Sequence, residues 1–344
     1  MTNAFAATLL KLCRREDLSR DEAREAFEAI MSGQTGDAQI GGLLVGLASK
    51  GTTVEELVGA VIAMRQRVLP VPLDPADRDA VILDTCGTGG DVKGTFNIST
   101  ATALVVAACG VKVVKHGNRS ASSKSGSADV LEKLGVKLEV TPDCLRQCLK
   151  ETNICFAFAR SHHPAMKHVA SARTALGIPT IFNLLGPLTN PGGAKHQLLG
   201  VFAPELTDRL AAVLRELGSV RAWVVNAQDG LDELSTLGPT RIAELKNGHV
   251  RSWTLDPRHL GMTYASLADL QVSDAQASAE VIQSVLAGKK GPPRDIVLLN
   301  AAGALVVADQ FQDLPTAMLR AANAVDSGAA NQTLQNLARL TTVG

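Results

Sequence analysis

The stretch DTCGTGGDVKGTFNIST, residues 84–100, follows the apolar run Val81–Leu83 and leads into the apolar stretch Ala101–Gly110. That order specifies a buried strand, a glycine-rich turn and a helix beginning near Ser99. Glycines let a backbone approach a phosphate and turn N–H groups toward it. A helix N-terminus adds the positive end of its dipole, and Ser and Thr hydroxyls add donors. Two common phosphate-binding patterns do not fit. The spacing GxGxxG would need glycine at 92, which is Val92, and GxxxxGK[ST] is absent. A dinucleotide fold and a P-loop NTPase are therefore both unsupported.

Working outward, KHGNRSASSKSGSAD at 115–129 also follows an apolar strand and precedes a helix. Three cations, five serines and two glycines fall between Lys115 and Ser127. This is a polyanion-binding composition, at the same sheet edge as the first turn. The acidic turn DGLDEL, 229–234, delivers adjacent carboxylates just after a candidate strand. Oxygen-only ligands on a loop suit Mg²⁺, which keeps waters and is held partly by substrate phosphates. A fourth stretch, SHHPAMKHVASAR at 161–173, leads into NLLGPLTNP at 183–191. Its three histidines lack an HExxH spacing or a thiolate pair, so zinc is not expected. Pro164 is expected to open a helix that places His168 and Arg173 on roughly opposite faces. Arg173 is suited to pair a substrate carboxylate bidentately.

The remaining pattern gives the organisation. Residues 1–72 read as helices only. Ser19 to Glu22 and Thr53 to Glu56 are capping boxes, Asp37 is a candidate cap, and Gly33 and Gly51 close helices. The run PVPLDP, 70–75, marks a domain boundary. Beyond it, candidate strands Val81–Asp84, Val111–Lys115, Val136–Val140, Leu198–Phe202 and Ala222–Asn226 alternate with candidate helices Ser99–Cys109, Ala128–Leu134, Pro142–Glu151 and Glu205–Leu217. Such alternation predicts an α/β domain over 73–344 with a mainly parallel central sheet. Helices are expected again from Asp274 onward.

Composition narrows the function. Lys+Arg and Asp+Glu are 34 each, so no net field favours nucleic acid or an anionic membrane. Aromatic residues are 3%, too few for base-stacking platforms. Six cysteines, at 13, 86, 109, 144, 148 and 155, form no CxxC pair and read as reduced buried thiols. No apolar stretch approaches a membrane span, and the N-terminal run is too short for a signal peptide. A cytoplasmic protein is expected.

Six motifs standing in order from Gly87 to Glu233 closely resemble the anthranilate phosphoribosyltransferase family. They are GTGGD, NIST, KHGNRS with SSKSGSAD, HHPAMKHV with Arg173, FNLLGPLTNP and DGLDE. The resemblance covers essentially the whole chain. It implies a small N-terminal helical domain, joined by a later helical segment at about 165–190. It also implies a large α/β domain of the nucleoside phosphorylase/phosphoribosyltransferase class, resembling the pyrimidine phosphorylase fold. It implies Mg²⁺-assisted transfer of a phosphoribosyl group from phosphoribosyl pyrophosphate to the amine of anthranilate, in tryptophan biosynthesis, by a homodimer. Carried over by residue, Gly87, Gly90, Asp91, Thr95, Asn97, Ile98, Ser99 and Thr100 would contact the phosphoribosyl donor. Lys115, His116, Gly117, Asn118, Arg119, Ser120, Ala121, Ser122, Ser123 and Ser127 would hold its phosphates. Gly87, Asn118 and Arg173 would contact anthranilate. Ser99, Asp232 and Glu233 would bind the metal. No covalent nucleophile is implied, and His116 is a candidate to assist proton removal. The rival readings are a pyrimidine nucleoside phosphorylase-like enzyme, whose second loop reads more like KHSGRG, and a non-catalytic nucleic-acid- or nucleotide-binding paralogue.

Overall fold

The computed structural model describes residues 2–77, 79–119 and 125–343. The chain opens with four helices: α1 (Thr2–Cys13), α2 (Arg20–Met31), α3 (Asp37–Lys50) and α4 (Val54–Arg65). Both capping boxes form. Glu22 N–H donates to Ser19 Oγ at 3.2 Å and Ser19 N–H to Glu22 Oε2 at 2.9 Å. At α4 the matching distances are 3.2 and 2.8 Å. The cap of α3 is Gly36 rather than Asp37, which is the first helical residue. The fully buried Glu56 carboxylate also takes the Leu18 N–H at 2.9 Å and the Lys50 ammonium at 3.0 Å, tying the α1–α2 turn to α4.

The remaining chain builds one seven-stranded sheet flanked by helices. In order these are β1 (Ile82–Gly87), α5 (Ile98–Ala108), β2 (Lys112–Gly117), α6 (Ser127–Lys133), α7 (Pro142–Thr152), β3 (Ile154–Phe158), α8 (Ala159–His162), α9 (Lys167–Leu176), α10 (Phe182–Leu185), β4 (His196–Gly200), α11 (Leu206–Glu216), β5 (Arg221–Ala227), β6 (Thr240–Lys246), β7 (His249–Leu255), α12 (Ala275–Leu286), α13 (Pro292–Val307), α14 (Leu314–Asp326) and α15 (Ala329–Val343). Strand order is β3-β2-β1-β4-β5-β6-β7. The first five pair in parallel and the last two add antiparallel.

Two apolar cores lie on opposite faces of this sheet. Along β4 and β5, Leu198, Trp223 and Val225 point to one face, toward α5, α7 and α12–α15. Leu199, Ala222 and Val224 point to the other, in a core shared with α1–α4, α9, α10 and α11. A period of two on a sheet covered on both sides produces this division. Val169, Phe182, Leu185 and Leu188 thus pack with the N-terminal helices despite their distance in sequence.

Three sequence expectations need correction or supplement. Val136–Val140 is not a strand. Val136 N–H closes the turn after α6 onto Leu131 O at 2.9 Å, and Lys137 N–H goes to Thr341 Oγ1 of α15 at 3.1 Å, so no ladder can use them. The β6–β7 hairpin was not read, although Asn247 (φ 51°) and Gly248 (φ 76°) form the kind of two-residue turn that joins such strands. Strand β3 was also missed. It follows Asn153, which ends α7 in the left-handed region.

Among the described residues no helix is long and apolar enough to cross a membrane. The six cysteines are free.

Helices α2 and α4 meet closely at Gly59, where an added Cβ would stand 2.3 Å from the Arg20 carbonyl oxygen. Gly59→Ala is therefore expected to force the pair apart and cost about 1–3 kcal/mol through overpacking. Urea unfolding checks this, and an unchanged midpoint would show that the pair spreads freely.

Candidate functional site

Strands β1, β2, β4 and β5 end at one edge of the sheet, and their C-terminal turns face each other there. Ligands of open α/β sheets bind outside this carboxyl edge, where the direction of strand order reverses. Here the reversal lies between β1 and β4.

The acidic turn is held from below. Leu231 and Leu234, on either side of the carboxylates, are buried. Asn300 of α13 accepts the Leu234 N–H at 3.0 Å and returns a bond to its carbonyl at 2.8 Å. Asp232 and Glu233 are thereby pushed up between the other turns. Asp232 Oδ2 takes the Gly89 N–H at 3.1 Å. An added Cβ at Gly87 would lie 2.5 Å from that oxygen, and one at Gly200 1.6 Å from the Asp232 carbonyl. Both positions must lack a side chain for the three turns to meet.

Ser99 and Lys115 lie on the opposite side. Lys115 is buried, and its ammonium donates to Thr85 O at 2.5 Å and Ser99 Oγ at 3.1 Å. The Ser99 backbone N–H supports Glu233. Asn97 caps α5, its Oδ1 accepting the Thr100 N–H at 3.1 Å. Asp91, Asp232, Glu233, Ser99 and Lys115 therefore share one cleft.

Charge in this cleft is unbalanced. Burial pushes Asp91, Asp232 and Glu233 above the usual carboxylate range, Asp232 to about 7. The charge of Asp91 adds to the effect on Asp232, and that of Asp232 to the effect on Glu233. Burial also pushes Lys115 down. Hard oxygen donors that resist ionising for want of positive charge fit a divalent cation, whose arrival would restore their charged form. Among the described residues no group of three or more His, Cys, Asp and Glu side chains is preassembled around an ion.

Gly90 has φ 90° and Val92, a β-branched residue, φ 55°. Thr95 bridges to Gln271. The side chains of Ile98 and Thr100 are buried, so any ligand contact there belongs to their backbone. Gly117 admits no side chain, because a Cβ would lie 2.2 Å from Ser127 Oγ. Asn118 O accepts from Ala128 N–H at 3.2 Å and from Ser127 Oγ at 3.4 Å. Arg119 turns to α6, pairing with Asp129 at 3.0 Å and Glu132 at 2.5 Å. Ser120, Ala121, Ser122 and Ser123 lie outside the described residues. Arg173 is on α9 with its guanidinium 5.3 Å from the Phe182 ring centre. It is linked to the cleft through α10, whose following residue, Gly186, meets His116.

The three histidines of the fourth motif go separate ways. His162 Nδ1 donates to Leu69 O at 2.6 Å, and His168 packs on Gly33. His163, weighed in the sequence only as a zinc ligand, lies with Nε2 3.2 Å from His116 Nε2. His116 Nδ1 faces Gly186 O at 3.0 Å and must donate there. Its Nε2 is then the acceptor of the His163 N–H. The expected role of His116 in proton removal would require this nitrogen to be released by His163, and burial pushes the His116 pKa down to about 3.

With this geometry in view, the chain can be set beside known proteins. Residues 79–331 match the glycosyl transferase family a/b domain and residues 7–68 its helical bundle domain. The anthranilate phosphoribosyltransferase of Rhodospirillum rubrum is 53% identical over 320 residues, covering 93% of this chain and 91% of that one. That of Rhodopseudomonas palustris strain HaA2 is 49% identical over 333 residues, 97% of each. The chain belongs to the anthranilate phosphoribosyltransferase family. Among solved structures of the family, the enzyme from Thermus thermophilus superposes with a TM-score of 0.90 at 39% identity, covering 97% of this chain and 99% of that one. The Saccharomyces cerevisiae enzyme, in complex with PRPP and Mg, gives 0.87 at 27% identity, covering 98% and 99%. The fold class, a small helical domain with a mostly parallel α/β domain, is that of the family.

The histidine pair gives a pH signature. Burial is the main cause of lowering in both, to about 3 in His116 and about 4 in His163, against 6.5 when unfolded. Their neutral forms therefore contribute stability above about pH 6.5, and that contribution is lost as pH falls from there toward 3. An H116N/H163Q variant is expected to show a flatter fall of Tm over this window than the wild type. Parallel curves would show that the pair contributes nothing to acid sensitivity.

Proposed function

We propose that this chain transfers the phosphoribosyl group of 5-phosphoribosyl 1-pyrophosphate to the amine of anthranilate, giving N-(5-phosphoribosyl)anthranilate and pyrophosphate. The observation that carries the reading is the convergence of the Gly87–Asp91 turn, the Ser99–Lys115 pair and the Asp232–Glu233 turn on one sheet edge. The S. cerevisiae relatives solved with PRPP and Mg and with 4-fluoroanthranilate support the same pair of ligands here.

In this reading the helices within residues 1–72 and about 165–190 form the smaller domain, and the acceptor enters between it and the 73–344 domain. Domain interfaces are a preferred place for small-molecule sites. The enzyme is a cytoplasmic homodimer of tryptophan biosynthesis.

Gly87, Gly90, Asp91, Thr95 and the backbone from Asn97 to Thr100 line the donor side, with Lys115, His116, Gly117, Asn118 and Ser127 across from them. Asp232, Glu233 and Ser99 would hold Mg²⁺, which would supply positive charge for the anionic leaving group. Lys115 and the turn amides stabilise the same developing charge from a fixed, partly dry position. The ribose gains positive character at C1 as the bond loosens. Anthranilate attacks through an amine that is already neutral at physiological pH, so the chain's main task toward it is orientation. Asn118 and Arg173 supply that, Arg173 by pairing the carboxylate while its face stacks on Phe182.

Loss of anthranilate fluorescence on mixing with phosphoribosyl pyrophosphate, Mg²⁺ and the protein tests the function. Turnover of phosphate and a nucleoside instead would favour a phosphorylase. D232N/E233Q is expected to lose kcat and its dependence on Mg²⁺, and an unchanged magnesium titration would remove both carboxylates from the reaction. R173A is expected to raise KM for anthranilate by the equivalent of roughly 1.5–3 kcal/mol of charge-assisted bonding. A change confined to the donor's KM would reassign Arg173.

A further inference from the structure

Asp84 has no exposed surface, and no ligand contact is assigned to it above. Strands β1 and β2 pair at Ile82↔Lys112 and Leu83↔Val113. Beyond that point β1 continues with β4 as far as Gly87↔Gly200, and β2 with β3 as far as Gly117↔Phe158. Side-chain bonds take over between β1 and β2, and the Asp84 carboxylate is at their centre. Its Oδ1 accepts the His116 N–H at 3.2 Å. Its Oδ2 accepts Asn190 Nδ2 at 2.7 Å.

Asn190 is itself fully engaged. The same amide nitrogen donates to Val114 O at 2.7 Å, and Asn190 Oδ1 accepts the Gly192 N–H at 2.8 Å. Gly192 allows this approach, since a Cβ there would lie 2.6 Å from Val114 Cγ2. Every contact is a donor facing an acceptor, so the cluster fixes which atom stands where. The Asp84 charge is also the strongest attraction acting on Lys115. The carboxylate thus reaches the backbone of one cradle residue and the charge of its neighbour, and is anchored to the turn that follows α10.

We propose that Asp84 is a positioning residue of the transfer reaction, holding the Lys115–Gly117 end of β2 at the spacing set by the Asn190 turn. This rests on the function proposed above. A mere filler of the splayed strands would affect stability and both substrates alike, whereas a positioning role on β2 weighs on the phosphoribosyl donor.

The test is steady-state kinetics on D84N and N190A, with wild type in parallel. In D84N an amide NH₂ must face either the His116 N–H or the Asn190 NH₂. The expected result is a fall of about ten-fold or more in kcat/KM for phosphoribosyl pyrophosphate, with KM for anthranilate near wild type. N190A, which removes the donor to both Asp84 Oδ2 and Val114 O, is expected to show the same donor-selective loss. Equal effects on both substrates would overturn the role. Should D84N fail to fold, N190A carries the same comparison, and a loss selective for the donor is again required. Absence of wild-type turnover would overturn the proposed function, while normal wild-type turnover with an unselective D84N would overturn only the positioning role.

Discussion

Negative charge in excess of positive charge governs this site. Asp91, Asp232 and Glu233 come together at the sheet edge, with Lys93 acting on Asp91 and the buried Lys115 acting on Glu233 as counter-charges. Taking carboxylates out of water is costly, and repulsion among them adds to the cost. A fold maintains such an arrangement only if the rest of the structure fixes it from outside. Leu231, Leu234 and Asn300 do so from below, and the capped start of α5 from the side. The resulting cleft gains most from a ligand that brings both a divalent ion and anionic oxygens for the surrounding N–H groups.

Close approach is the second constraint. Gly87, Gly200 and Gly117 are at points where a single added carbon would collide with Asp232 or Ser127. Their role is distinct from that of Gly90, where a Cβ would meet Phe202 only at 3.8 Å and the positive φ is what favours glycine. One set of glycines brings the turns together, and the other bends the first turn once they have met.

Much of this was legible in the sequence because the site is built from contiguous turns. A strand, a turn and a helix cap leave their residues side by side, so residues 84–100, 115–119 and 229–234 could each be read locally. The helical N-terminal segment and the parallel strands β1, β2, β4 and β5 were legible for the same reason. What escaped depends on contacts remote in the chain. Val136–Val140 alternates like a strand, yet its donors are taken by Leu131 and by Thr341. The His116–His163 bond spans 47 positions and the Asp84–Asn190 bond 106. Nothing in local spacing announces either. The buried polar residues in LTNP offered the one available hint, since an asparagine between apolar runs must find partners somewhere.

The two cores explain why the surroundings of Arg173 were harder to read than the sheet-edge turns. The turns at the sheet edge inherit their rigidity from strands buried on both faces. Arg173 belongs to α9, whose packing is with α2 and α3 and whose route to the cradle runs through Phe182 and Gly186. Its position is therefore set by how the N-terminal helices seat on the sheet. Arg20 of α2, paired at once with Glu55 of α4 and Glu216 of α11, is one clamp on that seating. Arg65, donating to Leu188 O at 2.8 Å just after α10, is another. The placing of Arg173 against the sheet-edge turns thus reduces to the registration of one helical layer on one sheet, which no single motif encodes.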